Sequence, residues 1–469
     1  MDATFPRKVD LKLVLSIIAS GLLSFTGVVV ETAMNVTFPT LIQEFSIDTT
    51  TVQWVTTGYL LILAMMIPTS SFLKQSYPMK GLFSAACVLF IVGTVMGGFA
   101  GNFWILLLGR ILEGAGTGIA LPLMFNIVME QAPLDKMGLM MGAAMLVCAL
   151  APAVGPSLGG YIVHAFGWHM IFLSLLPLLL ISLLCGVYAI RQSSPYGPTT
   201  FDFFGWVMVG CAFTFLILGC GQLDKLAEAP LNVIGFFVAS GLLLTAFYRH
   251  AQQQLAKHKK PLLNMAVFHA RPFVFSALGM LMMQFACLGI GFLLPNYSQI
   301  VAGENAFTAG CILLPGCLVG AALAPLSGRL YDRLGARIPL FAGTLCILIS
   351  QIGFSLNLAA STTLTLTLIY IIFTIGQGFV AGNILTYGMS RLPEDLRSDG
   401  NAVFNTAQQL AGAIGTSIAA AIVASAQEGS EGFTAGTLTG TQQTFYLLIL
   451  LALLQGVFVW LALRGYQQT

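Results

Sequence analysis

Charge is what this sequence lacks. Asp, Glu, Lys and Arg supply 8% of its 469 residues, against roughly 25% in soluble domains, while 57% are hydrophobic. That excludes an ordinary water-soluble fold, and domain counting by length does not apply. A net charge of +2 offers no field for nucleic acid. The densest basic run, Lys257 to Lys260, falls in a predicted loop and reads as a topology signal. Paired cysteines in loops are also missing. Cys87, Cys148, Cys185, Cys211, Cys220, Cys287, Cys311, Cys317 and Cys346 all fall inside predicted spans, so neither a disulfide framework nor a zinc site is expected. They read as small apolar packing residues. No G-x-x-x-x-G-K-[ST] phosphate loop occurs, so energy for any uphill step has to come from an ion gradient or a partner.

What is present is apolar sequence in long runs. A span needs about 20 mostly apolar residues. Fourteen are predicted, at about 12–32, 52–73, 80–100, 103–129, 138–163, 169–190, 203–222, 231–249, 273–300, 308–327, 337–357, 363–389, 401–425 and 442–463. The first follows Arg7, Lys8 and Lys12, as a signal peptide would. Its apolar run is too long, however, and ends in Glu31 rather than a small-residue cleavage site, so it reads as a retained span.

An even number of spans puts both termini on one side. With that side cytoplasmic, every Lys and Arg is cytoplasmic except Arg110, within a span, and Lys225, outside. Acids do not sort: Glu44, Asp48, Asp224, Glu228, Glu304, Glu428 and Glu431 lie outside. This is the positive-inside pattern, which counts Lys and Arg rather than net charge. Trp54, Trp104, Trp168, Trp206 and Trp460 fall near span ends, where an interfacial belt places them. The longest cytoplasmic connection, from Arg249 to Pro272, is a natural boundary before a second bundle.

Three charges break the apolar pattern: Glu31, Arg110 and Glu113. A charge at mid-bilayer costs about 2.5–3.5 kcal/mol on the mildest scale, so two acids and a base there point to a proton or cation pathway. Arg110 and Glu113 are three apart and share a helical face. Gly114 and Gly118 beside them allow a close helix crossing. An ion pair that only joins helices is the plainer alternative, although such a pair is weak support for stability. Two acids with one base leave one carboxylate unmatched, either Glu31 or Glu113, and an unmatched buried carboxylate favours its protonated form. Glu31 and Asn35 are four apart and can face one cavity; a glutamate merely facing outer water is the alternative.

Span 5 carries Pro152, Gly155, Pro156, Gly159 and Gly160, which weaken and bend a helix and permit close packing. A moving interface and a static kink both fit. The connection after span 10 contains Gly328, Arg329, Asp332, Arg333, Gly335 and Arg337, charges suited to a cytoplasmic ion-pair gate or to a positive-inside anchor. Its counterpart in the first half, Lys74 to Lys80, has no Asp, so a gate there is weaker.

Together these segments resemble the major facilitator superfamily over nearly the whole chain, and within it the fourteen-span drug:proton antiporters. Gly109 to Gly118 is similar to the span-4 motif, and Gly155-Pro156 with Gly159-Gly160 to the span-5 antiporter motif, the most specific signal. Glu31-Thr32 through Pro39 resembles the span-1 motif of the fourteen-span branch, where Asp is commoner than Glu. Gly328 to Arg337 resembles the gate-loop motif, displaced into the second half, and Leu410 to Gly415 also resembles the branch. Glu113 stands where the family often has Gln.

The resemblance implies an all-α polytopic membrane protein of major facilitator fold. It implies an N-terminal six-helix bundle (1–192), two inserted spans with a linker (193–260) and a C-terminal six-helix bundle (261–469). One cavity lies between the bundles and alternates its access by rocking. It implies a monomer in a bacterial cytoplasmic membrane, with no cofactor beyond the proton gradient and no nucleic acid partner; its partners are small-molecule substrates, protons and lipid. The expected function is export of lipophilic, often cationic drugs or dyes in exchange for protons. Glu31 and Glu113 are the proton-coupling candidates, with Arg110 tuning them. Met34, Asn35, Gln284, Phe292, Asn296, Asn383 and Gln409 join Glu31 and Glu113 as candidate cavity-lining residues. The alternative is a carrier of one metabolite, lipid or siderophore on the same scaffold. An enzyme is not expected: His164 and His169 lie close, but no carboxylate or Cys shares their loop.

Overall fold

The computed structural model describes residues 10–133, 137–192, 196–197, 200–223, 229–257, 259, 261–358, 362–393, 396–430 and 432–464, with the side chains at 71, 129, 137–139, 141–149, 153, 324 and 398 excepted. Expectations placed on Arg7, Lys8, Lys136, Asp224, Lys225, Glu228, Lys260 and Glu431, and on the Cys148 side chain, fall outside these residues.

Fourteen long helices follow one another, and no strand occurs among the described residues. They are α1 (Leu11–Ala33), α2 (Trp54–Met66), α3 (Met79–Gly98), α4 (Phe103–Gln131), α5 (Met137–Phe166), α6 (His169–Ala189) and α7 (Phe203–Gly221). The second seven are α8 (Pro230–Ala256), α9 (Arg271–Ile300), α10 (Leu314–Leu334), α11 (Arg337–Asn357), α12 (Thr363–Ser390), α13 (Arg397–Glu428) and α14 (Phe433–Arg464). Thirteen stretches of the described chain are long and apolar enough to cross a membrane. Helix α5 stands at the remaining predicted position. An even number of crossings returns both chain ends to one face, called here the terminal face.

Helix ends sit where a short polar side chain can take an orphan backbone N–H. Asp10 caps α1 through Leu13 N (2.9 Å), and Asn102 caps α4 through Ile105 N (3.0 Å). Asp202 caps α7 through Gly205 N (2.9 Å). Inside the spans, hydroxyls find acceptors one turn back, as hydrocarbon surroundings demand. Ser20 bonds to the Ser16 carbonyl (2.8 Å) and Thr32 to that of Val28 (2.9 Å). Several helices run past the predicted apolar limits: α8 continues to Ala256 and α14 begins at Phe433. Hydropathy marks the lipid-facing length, whereas backbone hydrogen bonding carries a helix on into water.

Glycine sets the closest crossings. A Cβ on Gly93 of α3 would lie 2.5 Å from the Gly109 carbonyl of α4, and one on Gly109 would lie 2.7 Å from that of Gly93. Helices α11 and α12 repeat the arrangement, with Gly343 and Gly376 each facing the other's carbonyl (2.8 and 2.6 Å). The same device at corresponding positions of two six-helix sets is an internal structural repeat.

Helices α1, α2, α3, α4, α5 and α6 pack chiefly among themselves, as do α9 to α14. The sets meet where α5 lies against α10 and the short Ala306–Cys311 helix, and where α2 lies against α13. Helices α7 and α8 pair with each other, and α7 leans on α13 and α2. Trp168 departs from the interfacial expectation: it is only 2% exposed, and its indole donates to Glu44 (2.7 Å). Trp104, 72% exposed, stands on the outer surface as a belt residue would.

Candidate functional site

All three predicted charges are buried in the first set of helices. Arg110 and Glu113 are fully buried on α4, and Glu31 on α1 is 7% exposed. Arg110 Nη1 donates to Glu113 Oε2 at 2.6 Å, the i,i+3 pairing that the spacing predicts. The other Glu113 oxygen accepts from the Thr94 hydroxyl of α3 at 3.0 Å. Arg110 Nε donates to the Val55 carbonyl of α2 at 3.0 Å, and the guanidinium lies over the Tyr59 ring, 4.3 Å from its centre. One charged pair thus draws α2, α3 and α4 to a point. Arg110 Nη2 and the Tyr59 hydroxyl remain buried with no hydrogen-bond partner among the described residues.

Glu31 differs from Glu113. Among the described residues its carboxyl makes no hydrogen bond and no ion pair, although it lies within electrostatic reach of Arg110. The base is committed to Glu113, so of the two acids left open by the sequence the unmatched one is Glu31.

The span-5 motif packs directly beside Glu31. A Cβ on Gly155 would lie 2.9 Å from the Val29 carbonyl and 3.1 Å from Thr32 Cβ; one on Gly159 would lie 2.7 Å from Ala33 Cβ. The neighbouring helix face meets the second set: a Cβ on Gly160 would lie 3.0 Å from Phe307 Cα, and one on Gly310 would lie 3.2 Å from Ser157 Cα. Pro156 lies at the same contact.

The remaining lining candidates separate by position. Met34 is fully buried, and Asn35 accepts from the Thr56 hydroxyl at 2.9 Å. Phe292 is packed against Phe38, with ring centres 5.8 Å apart, and Asn296 donates to the Phe292 carbonyl at 2.6 Å. Both belong to the seam between the sets. Asn383 is tied to Ser327 Oγ (2.7 Å) and the Phe379 carbonyl (2.9 Å), inside the second set. Gln284 accepts from Gln408 at 3.5 Å, and Gln409 is half-buried on the adjoining turn of α13.

Polar contacts between the two sets gather away from the terminal face. Thr49 donates to Gln427 (3.0 Å), Ser417 to Gln53 (3.2 Å), and Gln299 to the Val36 carbonyl (3.0 Å). At the terminal face, Lys74 pairs with Glu130 and Arg191 with Asp10 (2.6 Å), all within the first set. The predicted gate residues Arg329, Asp332, Arg333 and Arg337 are exposed and form no ion pair among the described residues, with Gly328 half-buried and Gly335 exposed beside them. Gly335 takes φ +77°, ending α10 in a conformation suited to glycine. Among the described residues no His, Cys, Asp and Glu group is arranged to hold a metal. His169 stacks on Trp168, ring centres 3.6 Å apart.

Three contributors escape sequence reading: Thr94, Tyr59 and the Val55 carbonyl. Each is neutral and none sits in a charged motif, so no signal along the chain marks them.

The sequence profile of the Major Facilitator Superfamily matches residues 20–416. Lincomycin resistance protein LmrB of Listeria monocytogenes is 32% identical over 446 residues, covering 93% of this chain and 94% of that one. The Multidrug resistance protein B homolog of Mycobacterium tuberculosis is 26% identical, covering 88% and 77%. Among solved structures, an inward-facing, unoccupied bacterial homolog of the human lysosomal transporter Spinster aligns at TM-score 0.72 with 14% identity, covering 98% and 99%. The xylose transporter XylE from E. coli, in a partially occluded inward open conformation, aligns at 0.62 with 13% identity, covering 96% and 97%. The structural likenesses are likenesses of fold.

Proposed function

This chain belongs to the Major Facilitator Superfamily, a family of transporters, and we propose that it exports lipophilic, often cationic drugs in exchange for protons. Relatives named for lincomycin and multidrug resistance support drugs as the substrate class. The observation that carries the coupling is the unmatched carboxyl of Glu31, buried beside an arginine already paired with Glu113. An uncompensated buried charge is costly, so Glu31 takes a proton when no cation is at hand. A cationic substrate arriving there replaces that proton, and competition of the two for one carboxyl is the minimum that exchange requires. Glu113 and Arg110 hold α2, α3 and α4 together around the site and set its field.

The terminal face is taken as cytoplasmic, since nearly every Lys and Arg lies there. The helix sets at 1–192 and 261–469 act as two bundles, with 193–260 inserted between them. The bundles rock about the glycine contacts of α5, opening the Thr49, Gln53 and Gln299 seam outward as the terminal face closes. The protein works as a monomer in a bacterial cytoplasmic membrane.

Dye uptake into everted membrane vesicles driven by a pH gradient, the equivalent of export from the cell, tests this reading. Export by the wild type with a gradient, and its loss in Glu31→Gln, is the expected result. An unimpaired Glu31→Gln protein defeats the coupling, and no export under any gradient defeats the reading altogether.

A further inference from the structure

Between Met283 and Ser298, helix α9 is buried at every residue except Cys287 and Gly291. The two are four apart and share one face. Glu31 and Asn35 are also four apart, on α1 or its continuing turn, and α1 and α9 both start at the terminal face and so run parallel. Asn35 lies against Gly291, its Nδ2 3.6 Å from where a Cβ would stand. One turn nearer the terminal face, the same register sets Glu31 opposite Cys287, and the two are within electrostatic reach. At this level Glu31 and the partly exposed Cys287 therefore face each other across the boundary between the sets.

The far side is not inert. Gln377 of α12, also partly exposed, donates its amide Nε2 to Cys287 Sγ at 3.2 Å. That contact orients the carboxamide and leaves its carbonyl oxygen with no hydrogen-bond partner among the described residues. The Tyr370 hydroxyl and Cys317 Sγ, 3.4 Å apart, belong to the same side. The boundary thus presents a carboxyl from the first set and a free amide carbonyl from the second. Both are acceptors, and they belong to the two parts that move relative to each other.

We propose that Glu31 and Gln377 together bind a protonated amine that bears N–H groups, so that the substrate bridges the two bundles, with Cys287 as the residue that orients Gln377. This deepens the efflux reading and rests on it. An ammonium with two or more N–H groups satisfies both acceptors at once, whereas a proton on Glu31 satisfies one and bridges nothing. A quaternary ammonium has the charge but no N–H, so it keeps the attraction to Glu31 but hydrogen-bonds neither acceptor. The site therefore selects primary and secondary amines over quaternary cations of the same size, by about tenfold or more, since hydrogen bonds from a charged donor to both acceptors are lost.

The test uses the full protein in proteoliposomes under a pH gradient. A fluorescent primary ammonium dye and its trimethylammonium derivative are supplied separately. Wild type is expected to transport the first better by about tenfold or more. Gln377→Met should reduce the preference several-fold, leaving only the part due to Glu31, and Gln377→Glu, which keeps an acceptor oxygen, should retain it. Equal wild-type transport of both dyes overturns the bridge and leaves proton-coupled efflux standing. A preference undiminished in Gln377→Met assigns the selection elsewhere and also overturns it. If Gln377→Met does not reach the membrane, the wild-type ratio decides alone. Transport of neither dye removes the efflux reading, and this inference with it.

Discussion

Arg110 Nη1 and Glu113 Oε2 stand 2.6 Å apart with neither side chain exposed to solvent, and the Thr94 hydroxyl completes the carboxylate from the other side at 3.0 Å. The pair is bonded from three helices, through Thr94, Val55 and its own i,i+3 contact, while Glu31 makes no such bond among the described residues. The proposed mechanism therefore gives structure and exchange to different glutamates, and substitutions should separate them.

Removing one partner of the Arg110–Glu113 pair strands a buried charge. Glu113→Leu is expected to lower stability by about 3–5 kcal/mol. The double variant Arg110→Met with Glu113→Leu should recover most of that loss, because it buries no charge. Thermal unfolding in detergent, followed by tryptophan fluorescence, measures both.

Glu31→Gln should behave oppositely. Glu31 makes no hydrogen bond among the described residues that the amide would break. The midpoint of thermal unfolding should stay within a few degrees of wild type, since an amide of nearly the same shape replaces a carboxyl that made no bond to lose. Gradient-driven dye export should nonetheless be lost. An unfolded Glu31→Gln protein would place Glu31 in the scaffold instead.

Gly155 has no room for a side chain. A Cβ there meets Thr32 Cβ at 3.1 Å and the Val29 carbonyl at 2.9 Å, next to Glu31. Gly155→Val should slow transport at least as strongly as it lowers stability if the α1–α5 contact slides in the proposed rocking. Export rate and unfolding midpoint, measured on the same preparation, separate the two effects.

The seam away from the terminal face is joined by Thr49 and Gln427 at 3.0 Å. If it opens in each cycle, joining it covalently stops transport. In a background free of other reactive thiols, Thr49→Cys with Gln427→Cys should transport when reduced, stop when oxidised and recover with dithiothreitol. Transport through the oxidised protein would show that the seam does not part.

The long helices were legible because lipid demands uninterrupted apolar runs, and the residue counts of α3, α6, α11 and α12 follow the predicted limits closely. The ends of α8 and α14 were not, since helices leave the membrane without any change of period. The Arg110–Glu113 pair was legible because both partners lie on one helix, three residues apart. Tyr59, Thr94 and Val55 reach that pair only through helix crossings, which hydropathy does not encode. Cys287 read as packing, and only the register of α9 against α1 places it opposite Glu31. Polarity within a span marked Asn383 as a lining residue, whereas its bonds to Ser327 and Phe379 hold it inside its own bundle.

The most direct measurement is proton release when a cationic substrate binds to purified protein in lightly buffered detergent. The wild type should release protons on binding, and Glu31→Gln should release none, while Glu113→Gln, wherever it folds, should still release them. Wild-type release from Glu31→Gln, or its loss only in Glu113→Gln, would contradict the assignment of the exchanged proton to Glu31.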